Sequence, residues 1–206
     1  MTTPPVKGTR RERQAADTRR EILEAAQRLF VARGYAATSV ADVAAEAGVA
    51  IQTIYSSVGS KRALVGSLAD HLDERSGVRD TRTAMQDAAD PREVIRLGVR
   101  LTRAFHEHSG DLLRALVSAA AIEPEMAAIL EEGRRRHRAG TLGTVKLIAS
   151  RWGLREGLTA ARGGAIFATL TSIPTWQGLR DEHGWSFDAI EDWMVATLAD
   201  ALLAED

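Results

Sequence analysis

Residues 48–64 read GVAIQTIYSSVGSKRAL: a glycine, a short run of mixed apolar and polar residues, a second glycine, then Ser60, Lys61 and Arg62. On a helical projection of that run, Ile51, Ile54 and Tyr55 share one side, and Gln52, Thr53 and Ser56 lie largely off it. The run is therefore a short amphipathic helix. Gly59 ends it, and Ser60 caps a further helix, KRALVGSLADHLDER.

The preceding stretch, TSVADVAAEAG, has the same grammar. Ser39 can cap, Asp42 favours the positive end of the helix dipole, and Val40, Val43, Ala44 and Ala47 form an apolar stripe. Gly48 supplies the left-handed conformation that stops this helix. Helix, tight turn and short helix together are the geometry of a helix-turn-helix, whose second helix enters the DNA major groove. A short helix suffices there, because the groove is about 12 Å wide and only the first turns reach base edges. Upstream, TRREILEAAQRLFVARG places Ile22, Ala25, Ala26, Leu29 and Phe30 at helical spacing, with Thr18 and Glu21 in a capping-box pattern and Gly34 beyond the end.

Charge separates the chain in the same way. The net charge is only −1, but residues 1–62 carry +4 and residues 63–206 carry −5. A basic N-terminal module suits phosphates, whereas the acidic remainder suits a different partner. The absence of cysteine and of any apolar run long enough to span a bilayer or to serve as a signal peptide gives the expectation of a cytoplasmic protein without a disulfide framework and without membrane contact.

The 206 residues are expected to be all-α, with about nine helices. Residues 1–16 are read as a basic, flexible arm, 17–62 as the helix-turn-helix domain and 63–206 as a helical effector-binding and dimerisation domain. After Gly77 a polar stretch is expected to be a loop or frayed connection. Pro91 then opens a helix that Gly110 interrupts, Pro124 opens a long segment, and Pro174 ends or kinks the first of the last two helices.

The stretch GYAATSVADVAAEAGVAIQTIYSSVGSKRAL resembles the TetR family of bacterial transcriptional regulators, through Gly34-Tyr35, Thr38-Ser39-Val40, Ala47-Gly48-Val49, Thr53-Ile54-Tyr55 and Gly59-Ser60-Lys61 with Leu64. The resemblance implies a homodimer with an N-terminal DNA-binding domain and a C-terminal ligand-binding and dimerisation domain. It further implies a repressor that binds a near-palindromic double-stranded DNA operator and is released by a small-molecule effector. Ala50 stands where the family often has a small hydroxyl residue, which removes a helix cap worth about 1 kcal/mol.

Gln52 is the candidate base reader, since its amide can pair with both polar edges of adenine; its other reading is an exposed glutamine meeting water or a phosphate. Thr53 and Ser56 can touch base edges or phosphates, and Tyr55 is expected to pack its ring on the helix-turn-helix core with its hydroxyl on a phosphate. Lys61 sits at a helix N-terminus and is the clearest phosphate contact. Thr38 and Ser39 complete the set, with Arg10 and Arg11 of an arm that also carries Lys7 and Arg13 and either reaches DNA or merely solubilises the terminus.

In the acidic part, Phe105, Met126, Leu147, Trp152, Phe167 and Trp176 are candidate pocket residues, against the alternative of plain core. Gly164, Ala168 and Thr171 with Ile190, Trp193, Met194 and Thr197 form complementary small and large helix faces suited to a two-fold four-helix interface, or to burial within one chain. His106 and His108 point to different sides of a helix and are expected to face solvent, so neither a metal nor a cofactor is anticipated. Arg134, Arg135, Arg136 and Arg138 suit either an anionic ligand or, as a run on one long helix, a solvated face, and the latter is the expectation. No Ser/His/Asp, Cys/His or glycine-rich phosphate constellation occurs, which weakens the alternative of a small helical enzyme or binding module with an incidental helix-turn-helix.

Overall fold

The computed structural model describes the backbone of residues 9–75 and 77–204, and the side chains of all of these except 72–75. The described residues form ten α-helices and a π-helical turn, with no strand. They are α1 Arg10–Arg33, α2 Val40–Glu46, α3 Ile51–Ser57, α4 Lys61–Arg75, α5 Val78–Asp87, α6 Pro91–Ala120, α7 Pro124–Arg151, α8 Ala160–Leu170, α9 Ile173–Gln177, the π turn Gly178–Glu182, and α10 Phe187–Leu202. Two compact units emerge: the described residues up to His71 together with Ala115–Ala127, and Leu72–Arg114 together with the residues from Ala128 onward.

In the first unit, α1 presents Ile22, Leu23, Ala25, Ala26, Leu29 and Phe30 as one buried stripe. Val43 and Ala44 of α2, Ile54 of α3, and Leu64, Val65 and Leu68 of α4 are also buried. α1 begins at Arg10 rather than Thr18, with Thr9 and Glu12 forming the capping box. Both threonine–glutamate pairs have the required spacing, and the one that adds more helical hydrogen bonds is used. Residues 10–16, expected within a flexible arm, are therefore helical.

The turn glycines behave as the sequence demands. Gly48 has φ 67° and Gly59 φ 99°, a region costly for any residue with a Cβ. Between them Ala50 caps α3 without any side-chain hydrogen bond, as expected from its missing hydroxyl.

The second unit is built on a core that includes Ile95 and Val99 of α6, Val145 and Ile148 of α7, Phe167 of α8, Trp176 of α9, and Ile190, Met194 and Leu198 of α10. Glycines let these helices approach: a Cβ on Gly98 would lie 2.7 Å from Phe167 Cζ, and one on Gly164 3.0 Å from the backbone of Leu142. Charge also reaches this unit's interior. Glu191 is buried, and its carboxylate accepts from Arg100 Nε at 2.7 Å and from an Arg103 guanidinium nitrogen at 2.8 Å.

Four local expectations change. The stretch after Gly77 is helical as α5, with Met85 on its inner side and Ala88, at its C-cap, both buried in the core. α6 runs through Gly110 without a break, since an interior glycine costs only about 1 kcal/mol against the packing of a long amphipathic helix. His106 is buried rather than solvent-facing, stacked on Trp176 with ring centroids 5.3 Å apart, whereas His108 is exposed. Pro174 sits in the first turn of α9, beyond the end of α8 at Leu170.

Candidate nucleic-acid interface

α2 and α3 pack as a pair against α1. Ser39 fixes the start of α2: its hydroxyl accepts from the Asp42 amide at 3.1 Å, and the Asp42 carboxylate in turn accepts from the Ser39 amide at 2.8 Å. The Ser39 hydroxyl also donates to that carboxylate at 2.6 Å, and this bond, with the one from the Ser39 amide, holds the Asp42 carboxyl below the usual carboxylate range.

The orientation of α3 depends on a residue that the sequence did not single out. The Arg19 guanidinium donates to the Ser57 carbonyl at 2.6 Å, at the last residue of α3, and to the Ser67 hydroxyl at 2.8 Å. One α1 side chain thus ties together the end of the recognition helix and α4. A lone arginine among many gives no sequence signal for this, because its partners lie 38 and 48 residues away.

Lys61 is positioned by Tyr35. Its ammonium lies 4.0 Å above the centre of the Tyr35 ring and 3.4 Å from the Ala36 carbonyl. Tyr35 is itself buried and tilted against Phe30 at 5.5 Å, and burial raises its phenol pKa above the ordinary value. The ring therefore acts as a neutral platform for a cation.

Lys61, Tyr55, Ser39, Val40 and Ile51 line a shallow surface concavity of about 500 Å³, with Thr38 in its floor. Gln52 and Ser56 are exposed on α3, and Thr53 is half-buried. Two expectations are corrected. Thr38 is 1% exposed and its hydroxyl donates to the Gly34 carbonyl at 2.9 Å, so its side chain closes the turn before α2 instead of facing a partner. Tyr55 is 52% exposed, with its ring on the wall of the concavity and not packed into the core. Arg10 and Arg11 are exposed on the first turn of α1, and Lys7 lies outside the described residues.

The other candidates are dispersed. Met126 belongs to the first unit, and Phe105, Leu147, Trp152, Phe167 and Trp176 belong to the second. Phe167 and Trp176 are core, Phe105, Leu147 and Trp152 are half-buried, and the Arg151 guanidinium covers the Trp152 ring at 4.2 Å. Of the residues read as an interface between copies, Gly164, Ala168, Thr171, Ile190 and Met194 are buried within the single chain, and only Trp193 and Thr197 keep partial exposure. The faces that α8 and α10 leave open carry Ala161, Ala165 and Thr169, and Ala189, Asp192 and Ala196.

The arginine run on α7 pairs with its own helix. Arg135 and Arg136 bond Glu132 at 2.7 and 3.0 Å, and Arg138 bonds Glu131 at 2.7 Å. Among the described residues, no group of three or more His, Asp or Glu side chains is arranged to hold a metal ion, and no helix is long and apolar enough to cross a membrane.

Comparison with known proteins agrees with this arrangement. Residues 22–68 match the family model of bacterial regulatory proteins, tetR family. The chain is 33% identical over 186 residues to the HTH-type transcriptional repressor Rv3405c of Mycobacterium tuberculosis, covering 85% of this chain and 87% of that protein. Over 82 residues it is 39% identical to the HTH-type transcriptional regulator TtgR of Pseudomonas putida, covering 40% of this chain and 39% of that one.

Among solved structures, NalD, the secondary repressor of the MexAB-OprM multidrug efflux pump in Pseudomonas aeruginosa, superposes with a TM-score of 0.70 at 18% identity, covering 92% of this chain and 98% of that one. The transcriptional regulator FadR from Bacillus subtilis, in complex with stearoyl-CoA, gives a TM-score of 0.70 at 17% identity, over 87% and 96% of the two chains. At such identities these two likenesses establish the fold alone. The family match, the identity across most of a regulator's length and the helix-turn-helix geometry together place this chain: it belongs to the TetR family, as a DNA-binding transcriptional regulator and not an enzyme.

Proposed function

We propose that the chain is a ligand-responsive repressor that binds a near-palindromic operator as a homodimer in the cytoplasm and leaves it when a small-molecule effector binds the second unit. The observation that carries this reading is the pairing of an exposed polar recognition face on α3 with a cation held beside it: Gln52 and Ser56 stand outward while Lys61 sits over Tyr35. Base edges are read by the former and a phosphate is held by the latter.

A dimer is required because one seven-residue helix makes too few base contacts for an operator-sized site. Its two recognition helices must enter successive major grooves about 34 Å apart. The outward faces of α8 and α10, with Ala165, Trp193 and Ala196, are suited to close packing between copies. An effector acts by binding more tightly to a dimer with the wrong spacing, which is the only way it can shift the equilibrium. The names of similar proteins lend support: Rv3405c is a repressor and FadR was solved with an acyl-CoA.

Gln52→Ala is expected to relax preference at one base pair per half-site by about 1–3 kcal/mol while leaving binding to other positions intact. A scan of single-base operator variants reads this out directly. Unchanged preference at every position would remove Gln52 as a reader.

A further inference from the structure

α3 presents two rows of side chains side by side. Gln52 and Ser56, one helical turn apart, form an exposed polar row. The adjoining row has a different character: Ile51 and Tyr55, also one turn apart, are 47% and 52% exposed. The sequence puts Ile51, Ile54 and Tyr55 on one side of the helix, yet the fold buries only Ile54, at 0% exposure. Packing within the chain therefore does not account for a large apolar side chain at position 51.

Its surroundings show what does. Among the described residues five large apolar side chains are exposed, and two of them belong to this one seven-residue helix. Both line the concavity that Lys61 also lines, together with the small apolar side chains of Ala37, Val40 and Ala41. A duplex held through a phosphate by Lys61 covers Ile51 as well, and covering apolar surface is favourable.

The chemistry of Ile51 restricts what it can meet there. An isoleucine has no donor or acceptor, so against a base edge made of such groups it would strip their water and return nothing. In the major groove, thymine alone adds a methyl group to its polar edge, and that methyl is the apolar complement. A β-branched side chain in a helix also has essentially one χ1 rotamer, so little freedom is lost when it is covered.

We infer that Ile51 is a specificity-determining residue that reads the 5-methyl group of one thymine in each half-site. This deepens the operator-reading role proposed above and rests on it: Gln52 reads a base by hydrogen bonds, and Ile51 reads one by apolar contact.

The test uses the full chain and the tightest-binding duplex selected from genomic fragments. Each thymine is replaced in turn by deoxyuridine, which keeps every hydrogen-bonding group of the base and lacks only the methyl, and affinity is read by anisotropy. At one thymine in each half-site the replacement is expected to weaken wild-type binding about fourfold, the worth of one buried methyl-sized group, and about fifteenfold when both half-sites are changed. In Ile51→Ala the same replacement should change affinity by less than about twofold, whereas Gln52→Ala should keep the fourfold effect. Ile51→Ala is expected to fold, since the side chain is half-exposed and alanine favours the helix; the wild-type scan needs no variant at all. A wild type indifferent to every deoxyuridine, or a methyl effect undiminished in Ile51→Ala, would overturn the role of Ile51 while leaving operator binding in place. Equal weak binding to every duplex would overturn the operator reading, and this inference with it.

Discussion

Reversing the charge at Lys61, as Lys61→Glu, is expected to weaken DNA binding about tenfold per protomer and so about a hundredfold for a dimer. The loss should be the same for every sequence, because a phosphate contact carries no base information. The dependence of log K on log salt should also become shallower, by about one for each lysine that no longer displaces a counterion. The fold is expected to survive, since what Lys61 contributes within the chain is a cation–π contact with Tyr35 and a long bond to the Ala36 carbonyl. Such a contact at a partly exposed site is worth about 1 kcal/mol or less. Anisotropy titrations of wild type and variant on operator and scrambled DNA provide the check; a loss confined to the operator would instead make Lys61 a base reader.

Acidification should destabilise the second unit once the pH falls below about 6.5. Burial, with a smaller contribution from His137, pushes His106 from its ordinary 6.5 to about 3, and burial also lowers His137. In the unfolded chain these imidazoles take up protons near pH 6.5, whereas in the folded chain His106 does so only at about 3 and His137 below its ordinary value. The unfolded state therefore binds more protons through this window, and stability falls as pH drops from about 6.5 towards 3. At pH 5 His106 alone accounts for about 2 kcal/mol of lost stability. Arg138 adds to the unfavourable field at His137, whereas the Ala168 carbonyl opposes it. Urea midpoints at pH 7 and pH 5 measure the effect, and His106→Phe should remove most of the difference. An equal pH dependence in that variant would show that His106 is not the group responsible.

The helix-turn-helix was legible because its signals are local. Gly48 and Gly59 mark turns by positive φ, and the buried Ile54 between them follows from helical spacing. What escaped the sequence was long-range. Thr18 and Glu21 have the spacing of a capping box, yet the folded chain caps α1 at Thr9 with Glu12 and runs on through Thr18. Arg19 and Tyr35, which hold α3 and Lys61 in place, act on residues far along the chain.

Burial was the other blind spot. An apolar or small-residue face predicts that something covers it but not whether the cover is the same chain. Gly164 and Met194 suit an interface between copies on paper, yet they pack inside one chain, against Leu142 in the case of Gly164. Likewise the i, i+2 spacing of His106 and His108 correctly separated their directions but could not say that Trp176 waits on one side. Thr38 carries a hydroxyl suited to phosphate, and the turn before α2 consumes it.

The central claim is sequence-specific operator binding by a dimer. Its most direct test is fluorescence anisotropy of the purified full chain against DNA flanking its own gene, with a scrambled duplex of equal length, across a salt series. The account predicts saturable binding at two protomers per site or a multiple of two, much weaker binding to the scrambled duplex, and a steep fall in affinity with salt. Saturation at a single protomer, or equal weak binding to both duplexes and to DNA recovered by selection from genomic fragments, would contradict it.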